Sequence, residues 1–333
     1  MPDQLVTSSV AEVSHGPTTN IAAEEAVCPL CGRDAPRTVF RNLPDWLCGL
    51  PGRFNIVECR ACGMRYLNPR PAPQAIGQYY PESYAAHVDA GSTLAIRGRR
   101  VVPILRRAAD LLYSARFGPP GPPLKRPRPE AHVLDVGCGT GGLLLGFQKA
   151  GWSVTGLDTS PGAVSIARSR LSSQTIYVGD VHTLDLPRDT FDLVLMSHAL
   201  EHVYQPRDTL RRVRDLLRPN GRLWVAVPDA SSWEARLFRE DWIGYDVPRH
   251  FTNFSRANLL QMLRSEGFKI VRVRPQLLPV SISDSVNKWL ERKLGIRWRR
   301  PQQVLTYYGL YLPVILTYWL GNSGAIEVEA ANV

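Results

Sequence analysis

Short apolar runs alternate with amphipathic segments along the chain from residue 131 to residue 229. The short runs predict strands, whereas the segments between them place apolar residues at helical spacing. The predicted strands are HVLDVG, SVTGLD, TIYVGD, FDLVLMS and RLWVAVP, and the predicted helices are GLLLGFQKAG, PGAVSIARSRL and PRDTLRRVRDLLRPNG. Strands that alternate with helices predict an α/β domain whose parallel sheet is covered by helices on both faces.

Changes in composition predict further segments in front of this domain. Residues 1–25 are expected to be a disordered tail, and residues 26–70 are rich in cysteine and turn formers. Residues 71–117 show helical spacing with a basic face. The stretch GPPGPPLKRPRP, residues 118–129, predicts a semi-rigid linker because proline fixes φ and removes a backbone donor. Residues 130–333 then form the main domain.

The charge and the cysteine content limit the partners and the compartment. A net charge of +10 favours anionic partners such as nucleic acid, acidic phospholipid or a phosphorylated substrate. The first residues lack the basic and apolar regions of a signal peptide, which predicts a cytoplasmic protein. In such a reducing compartment, paired cysteines favour metal binding over disulfides.

The glycine-rich stretch VLDVGCGTGG allows two interpretations. Gly137, Gly139 and Gly142 match the turn of dinucleotide-binding proteins. With Gly141 in place of Gly142, and with Asp135 in front, the same stretch matches a nucleoside-binding turn. A pyrophosphate on this turn would lie beside the like charge of Asp135. The ammonium group of S-adenosylmethionine would instead be attracted to that carboxylate.

Two more acidic residues end the next two predicted strands. Asp158 stands where a carboxylate can accept hydrogen bonds from both ribose hydroxyls, a feature shared with NAD-binding folds. Asp180 stands where a carboxylate can accept from an adenine amino group. The turn lacks the Lys-Ser/Thr pair of a P-loop. These features favour a nucleoside ligand without phosphates.

Four ordered motifs resemble those of class I S-adenosylmethionine-dependent methyltransferases. They are VLDVGCGTGG, VTGLDTSPGAVSIAR, VGDVHTLDLPRDTFDLVLMSHALEHV and LLRPNGRLWVAVP. The resemblance implies a Rossmann-like, mostly parallel sheet of seven strands, the last antiparallel, with KIVRVRP as the sixth and AIEVEAA as the seventh. It also implies which residues surround the cofactor: Asp135, Gly137, Gly139 and Gly141 at the methionine part, Asp158 at the ribose and Asp180 at the adenine.

Four cysteines are arranged as two CxxC pairs, in CPLCG and CRACG. Each pair can turn as a knuckle that presents two thiolates to one ion, and two knuckles can close a tetrahedral zinc site. The glycine after each pair suits the tight turn. The spacing therefore predicts a small N-terminal module with a structural Zn²⁺, whose ligands are Cys28, Cys31, Cys59 and Cys62. Cys48 and Cys138 have no partner at ligand spacing.

A zinc-ribbon-like module followed by YLNPRP and a methyltransferase domain resembles bacterial methyltransferases of polysaccharide and glycolipid biosynthesis. The resemblance also covers the stretch PRHFTNFS. It implies a small-molecule acceptor, either a sugar or a lipid-linked glycan, that is methylated on oxygen or carbon.

The stretch SHALEHV follows the fourth predicted strand and contains two candidate catalytic residues. If this stretch is helical, His198 and His202 share one face beside the expected methyl donor. A neutral histidine can take a proton from an attacking hydroxyl or an acidic carbon. The letters EHV also resemble the acceptor-site motif of quinone-type O-methyltransferases. The alternative is that both histidines only cap and pack the segment.

The stretch EDWIGYDVPRHFTNFSRANLLQMLRSEGF is dense in aromatic and basic side chains before a predicted helix with Ser255 as N-cap. Aromatic faces suit sugar rings, and a guanidinium suits a phosphate. The candidate substrate-binding residues are Trp242, Tyr245, Arg249 and His250. The alternative is a packed lid over the edge of the sheet.

A segment at about 281–322 is inserted between the sixth and seventh predicted strands. It begins with a basic piece that contains Trp289 and Trp298, and it continues as an apolar piece that Pro313 interrupts. The apolar piece is shorter than the roughly 20 residues of a spanning helix. The pattern favours either association with the inner face of an anionic membrane or a helical pair that packs on the sheet.

Three functions remain open from the sequence. The first is methyl transfer from S-adenosylmethionine to a sugar or lipid-linked glycan. The second is methylation of RNA, with the zinc module and the basic helix gripping the nucleic acid. The third is a non-enzymatic adaptor. The apolar insertion and the aromatic loop speak against RNA, and the three intact acidic positions, Asp135, Asp158 and Asp180, speak against an adaptor.

Overall fold

The structure is a computed structural model that describes residues 22–81, 84, 111, 113–119, 121–171, 175–276, 280–296 and 317–332. Most of the predicted tail, most of the basic helical segment, and Trp298 and Pro313 of the insertion lie outside the described residues.

The main domain is built on a seven-stranded sheet in the order β12-β13-β10-β9-β6-β7-β8. Neighbouring strands from β10 to β8 are parallel, whereas β13 is antiparallel to both β10 and β12. The seven-stranded, mostly parallel, Rossmann-like sheet is therefore confirmed, with its sixth and seventh strands where they were predicted. Its strands are β6 (His132–Val136), β7 (Ser153–Asp158), β8 (Ile176–Val178), β9 (Phe191–Ser197), β10 (Leu217–Pro228), β12 (Phe268–Pro275) and β13 (Ala325–Asn332).

The helices of the described chain begin and end close to the start and stop signals predicted from the sequence. The third helix begins at Pro206 and ends before the Arg-Pro-Asn-Gly stop, and the Ser255 side chain caps the fifth helix by accepting from the N–H of Asn258. The helices are α1 (Gly142–Lys149), α2 (Pro161–Leu171), α3 (Pro206–Leu216), α4 (Trp233–Phe238), α5 (Arg256–Ser265) and α6 (Val280–Leu294).

The cysteine-rich segment forms a second sheet that also takes a strand from the main domain. The order of this sheet is β11-β4-β3-β2. Its outer strand β11 comes from the stretch before α5, and Thr252 and Asn253 pair antiparallel with Tyr66 and Arg65. The strands are β2 (Pro36–Leu43), β3 (Phe54–Cys59), β4 (Arg65–Leu67) and β11 (Thr252–Asn253), beside the short pair β1 (Ala23–Glu24) and β5 (Arg70–Pro71).

The two sheets share a hydrophobic core. Cys28, Met64 and Tyr66 of the cysteine-rich segment are buried in the same cluster as Phe254 and Leu259 of the main domain. The predicted boundary at residue 70 stays a prediction, but the packing shows that the cysteine-rich segment and the main domain are in continuous contact.

The linker lies against the main domain, and the start of the insertion contacts both the cysteine-rich segment and the main domain. Arg274 donates to the carbonyl oxygens of Pro119 and Gly121, at 2.7 and 2.5 Å. In α6, Glu291 accepts from Trp46 Nε1 at 2.8 Å, and Arg292 pairs with Asp241 at 2.6 Å. Among the described residues, no helix combines the length and the apolar character that crossing a membrane requires.

Candidate active site and cysteine cluster

The glycine turn between β6 and α1 needs a backbone that only glycine adopts freely. Gly137, Gly139 and Gly141 have φ angles of +79°, +52° and +78°. A Cβ at Gly137 would lie 2.9 Å from the Cβ of Ala199, and one at Gly141 would lie 3.1 Å from that of Ala167. The turn therefore presses directly against the segment that carries the candidate catalytic histidines.

Asp135 lies buried beneath this turn. Asp135 is 1% exposed, and its Oδ1 has no hydrogen-bond partner among the described residues. Burial, together with the nearby charge of Asp158, raises the pKa of Asp135 to about 7. A carboxylate oxygen without a partner fits a site for a cationic or hydrogen-bond-donating ligand.

Asp158 and Asp180 hold the backbone at the same edge of the sheet. The two oxygens of Asp158 accept from the N–H of Gly139 at 2.9 Å and of Ser160 at 2.8 Å. Oδ1 of Asp180 accepts from the N–H of His182 and of Thr183, at 2.7 and 3.0 Å. Each carboxylate oxygen can accept more than one hydrogen bond, so these contacts leave capacity for ligand hydroxyl and amino groups.

The expected helix over SHALEHV is not formed. The structure has a short 3-10 turn at Leu200–His202, and His198 before it has a φ angle of +52°. Nε2 of His198 bonds to the Gln276 side chain at 2.8 Å, while Nδ1 of His202 contacts Tyr80 and the backbone of Arg249 instead. The condition under which His198 and His202 would share one face, a helix over this segment, is therefore not met, and their catalytic roles stay predictions.

His202 instead lies in a cluster with Tyr80, His250 and Glu201. Its Nδ1 is 3.0 Å from the Tyr80 hydroxyl, and its ring centroid is 4.6 Å from that of His250. Burial and the adjacent His250 lower the pKa of His202 to about 4. Although burial opposes it, the neighbouring His198 ring lowers the pKa of Glu201. His202 is therefore a neutral imidazole at physiological pH.

Three of the four predicted substrate-binding side chains are fully enclosed. Trp242 and Tyr245 are 1% and 0% exposed and pack edge to face. Arg249 is 0% exposed and forms ion pairs with Asp45 at 2.6 Å and Asp246 at 2.5 Å. The burial of these three side chains favours the packed-lid alternative, and their assignment to substrate binding stays a prediction. His250, which joins the His202 cluster, is 8% exposed.

The four paired cysteines come together. Sγ of Cys28 is 3.5 Å from Sγ of Cys62, Sγ of Cys31 is 3.6 Å from that of Cys59, and all four sulfurs lie within 4.8 Å of one another. Thiolates around one Zn²⁺ at about 2.3 Å would lie roughly 3.8 Å apart. The spacing of the four sulfurs thus fits a tetrahedral metal site.

The two knuckles repeat the same backbone pattern. The N–H of Gly32 donates to the carbonyl oxygen of Cys28 at 2.9 Å, and the N–H of Gly63 donates to that of Cys59 at 2.8 Å. Both glycines have positive φ angles, +71° and +72°. Burial raises the pKa of Cys59, but N–H groups of Ala61 and Cys62 and two neighbouring thiols outweigh it and lower the pKa to about 7. Amides that point at a sulfur stabilise its thiolate.

A cavity of about 430 Å³ lies elsewhere, between the cysteine-bearing sheet and α4. Arg65, Arg236, Arg239 and Asn253 are among its lining residues, and the side-chain amide of Asn253 has no partner within the described chain. None of the glycine-turn residues lines it, so it is separate from the candidate cofactor site.

Comparison with known proteins decides the family. The methyltransferase-domain family Methyltransf_23 matches residues 104–273, just over half of the chain. The chain belongs to this methyltransferase family. The predicted enzyme class, a methyltransferase that depends on S-adenosylmethionine, is thereby confirmed at the level of the family.

The relatives of this methyltransferase overlap it in part. The mitochondrial ubiquinone biosynthesis O-methyltransferase of Schizosaccharomyces pombe is 41% identical over 102 residues, 28% of this chain and 37% of the relative. An uncharacterized 37.1 kDa protein in transposon TN4556 of Streptomyces fradiae is 34% identical over 221 residues, 61% of each chain. The methyltransferase thus spans less than two thirds of the length of both relatives.

The chain is also similar to a solved S-adenosylmethionine-dependent methyltransferase from Methanosarcina mazei, at 18% identity. The two align with a TM-score of 0.43 over 62% of this chain and 94% of that one.

Tyr80 of the methyltransferase was missed as a candidate site residue, whereas Glu201 was noted only through the resemblance of the EHV motif. Tyr80 lies 122 positions before His202 in the chain, so no local spacing could reveal their contact. Glu201 stood inside the EHV motif, where its complete burial has no signature in the sequence.

Proposed function

We propose that this methyltransferase binds S-adenosylmethionine over the glycine turn and methylates a hydroxyl group of a small molecule. The observation that carries the proposal is the unpartnered Oδ1 of the buried Asp135, beneath a turn that touches Ala199. When bound, the cofactor would supply a methyl group on a sulfonium sulfur, and a neutral thioether would be left when an acceptor oxygen takes that methyl group.

The residues of the turn would hold that cofactor. Asp135 would attract its ammonium group, and Gly137, Gly139 and Gly141 leave room for close approach of the backbone. Asp158 would accept from the ribose hydroxyls and Asp180 from the adenine amino group. These roles agree with the hydrogen-bonding capacity left at both carboxylates.

The acceptor would enter beside the segment of Ala199 to His202. Because Ala199 touches the turn at Gly137, Glu201 and His202 lie on the acceptor side of the proposed cofactor site. Most of the rate would come from holding the acceptor oxygen in line with the methyl group. The neutral imidazole of His202 would accept the proton of the acceptor hydroxyl.

Two classes of acceptor are compared, a phenolic hydroxyl and a sugar or lipid-linked glycan. A phenolic hydroxyl is favoured by the partial relative whose name includes ubiquinone biosynthesis O-methyltransferase. A sugar or lipid-linked glycan was favoured by the sequence, but three of the side chains assigned to it, Trp242, Tyr245 and Arg249, are enclosed in the core. We therefore place the phenolic hydroxyl first.

The four cysteines are proposed to hold a structural Zn²⁺. Four thiolates leave no open position for water, so the ion would stabilise the second sheet and take no part in methyl transfer. The support is the spacing of the sulfurs and the repeated knuckle backbone.

Association with a membrane surface also remains a proposal. Trp319 and Leu320 are 43% and 64% exposed, and Leu294 and Ile296 are 58% and 48% exposed at the end of α6. Co-sedimentation with vesicles that contain anionic lipid tests it. A chain that stays in the supernatant would contradict it.

The central experiment follows the label from methyl-labelled S-adenosylmethionine into a lysate. The lipid, RNA and water-soluble fractions are counted separately, and the Asp135→Ala variant is the control. Label in lipid or small-molecule fractions supports the proposal. Label in RNA supports the alternative with a nucleic-acid acceptor, and equal labelling by the variant would overturn the assignment of the turn.

A further inference from the structure

Glu201, His202 and His250 bring one carboxylate and two imidazoles together beside the glycine turn. One potential ligand atom of each lies within 4.8 Å of the other two. The N–H of Phe251 donates to the carbonyl of Glu201 at 2.9 Å, and this bond holds His250 beside the 3-10 turn. The cluster is separate from the four cysteines.

The hydrogen bonds of both histidines determine which ring nitrogen carries the proton. Nδ1 of His250 is 2.8 Å from the carbonyl oxygen of Gly244, and Nδ1 of His202 is 3.1 Å from that of Arg249. A carbonyl oxygen only accepts, so Nδ1 of His250 is the donor and Nε2 of its neutral ring keeps its lone pair. Nδ1 of His202 also lies 3.0 Å from the Tyr80 hydroxyl, which can donate or accept, and His202 has the same tautomer when its Nδ1 donates to the Arg249 carbonyl. Metal-binding histidines are oriented in this way by an acceptor behind the ring.

Glu201 supplies a buried carboxylate whose ion-pair contact, with Nδ1 of His198, is longer than a normal hydrogen bond. The residue is 1% exposed, and neither of its oxygens has a hydrogen-bond partner in the described part of the chain. Its ion pair with Nδ1 of His198 is 3.4 Å long. A carboxylate buried in this way is costly unless a cation compensates it.

We propose that Glu201, His202 and His250 form a second metal site, which binds a divalent transition-metal ion such as Zn²⁺ or Fe²⁺. Two imidazoles and one carboxylate are a donor set for these ions. Ligand atoms at about 2.1 Å from an ion lie roughly 3–4 Å apart, so binding would draw the three groups together by no more than about 1–2 Å. Three protein ligands leave a position for a water molecule or another oxygen ligand.

The site has a consequence for the reaction, and this step alone rests on the proposed function. An acceptor hydroxyl that occupies the open position would lose its proton more readily. His202 would then act as a metal ligand in place of a proton acceptor, and the hydroxyl proton would pass to solvent water. Binding of the ion itself depends only on the geometry of the three side chains.

Cobalt titration of the full-length protein tests the site. After removal of bound metal, Co²⁺ at the four thiolates gives intense sulfur-to-metal charge-transfer bands, whereas Co²⁺ at a nitrogen and oxygen site gives only weak visible bands. We expect about two equivalents in the wild type. Glu201→Gln and His250→Gln should each lose the equivalent with weak visible bands and keep the charge-transfer bands, which also report that the variant is folded.

His182→Gln is the matched control, because His182 is exposed and bonds to Thr209 away from the cluster. It should keep about two equivalents. About one equivalent in the wild type, or about two in both cluster variants, would overturn the second site. Binding of S-adenosylmethionine is measured on the same samples. Failure to bind it would contradict the proposed function and leave the metal result intact.

Discussion

Asp135 combines a cost in stability with a role in binding. The pKa of this carboxyl is raised to about 7, so above neutral pH the folded protein contains a buried charge. A raised folded-state pKa of an acid lowers stability progressively as the pH rises from the unfolded value to the folded one. An amide of the same shape avoids that cost but cannot attract an ammonium group.

The Asp135→Asn variant is therefore expected to be more stable and to bind less cofactor. Its gain in unfolding free energy should be about 2 kcal/mol larger at pH 8 than at pH 5.5, since each pKa unit corresponds to about 1.4 kcal/mol. Urea unfolding at the two pH values and calorimetric titration with S-adenosylmethionine measure both effects. Asp185→Asn, at an exposed position, is the control. A gain that does not depend on pH would contradict the buried charge.

Gly137 allows the turn to pack against the segment that carries the histidines, because its side chain is a single hydrogen atom. Gly137→Ala introduces a Cβ 2.9 Å from Ala199 at a φ angle of +79°. We expect a strain of about 1–2 kcal/mol and at least tenfold weaker cofactor binding.

The double variant Gly137→Ala with Ala199→Gly removes the close contact but not the strained φ, so it should recover binding only in part. Gly146→Ala is the control, because nothing lies within 4 Å of its new Cβ in α1, and it should be equally stable or up to about 1 kcal/mol more stable. Full recovery in the double variant would show that the backbone conformation costs nothing.

Among the strands and helices, those with a regular apolar repeat were predicted from the sequence. Strands β6 to β10 and helices α1 to α3 were found because each buries an apolar face with its own repeat. The SHALEHV segment does not follow this rule. Its histidine spacing matched a helix, but the left-handed backbone at His198 redirects the chain, and a single positive φ angle leaves no periodic signal.

The contacts that complete the candidate site were hidden for a different reason. Tyr80 contacts His202, which lies 122 positions later in the sequence, and Asp45 contacts Arg249, which lies 204 positions later. Local pattern identifies which residues carry chemistry, as it did for the four cysteines with their CxxC spacing. It does not tell whether an arginine will meet a ligand or a buried carboxylate, because that depends on how distant elements pack.

The cysteine knuckles should control the stability of more than their own sheet. Cys59→Ser is expected to lose about one zinc equivalent and to lower the melting temperature by at least about 5 °C, because the sulfurs share a core with the main domain. Elemental analysis and thermal unfolding measure this. Cys48→Ser, outside the cluster, should retain the zinc and the melting temperature. An unchanged zinc content in Cys59→Ser would contradict the ligand set.

At the scale of the whole molecule, Arg249 joins three parts of the chain. Its guanidinium pairs with Asp45 and Asp246 and donates to the carbonyl of Tyr79 at 3.0 Å. Removing one partner of a buried ion pair leaves charges uncompensated.

Arg249→Met is therefore expected to lower the unfolding free energy by about 3–5 kcal/mol, as measured by urea unfolding. Arg236→Met, at an exposed position of α4, should change it by no more than about 0.5 kcal/mol. A loss below about 1 kcal/mol for Arg249→Met would show that the ion pairs are open in solution.

Strand β11 makes the cysteine-bearing sheet depend on the main domain for its outer strand. Thr252 and Asn253 belong to the main domain by sequence but to the cysteine-bearing sheet by pairing, and they follow His250 directly. Recombination that exchanged only the N-terminal segment would bring in a foreign sheet edge, and the new edge would have to match these two residues in register. The two halves of this chain are therefore expected to be inherited and to diverge as one unit.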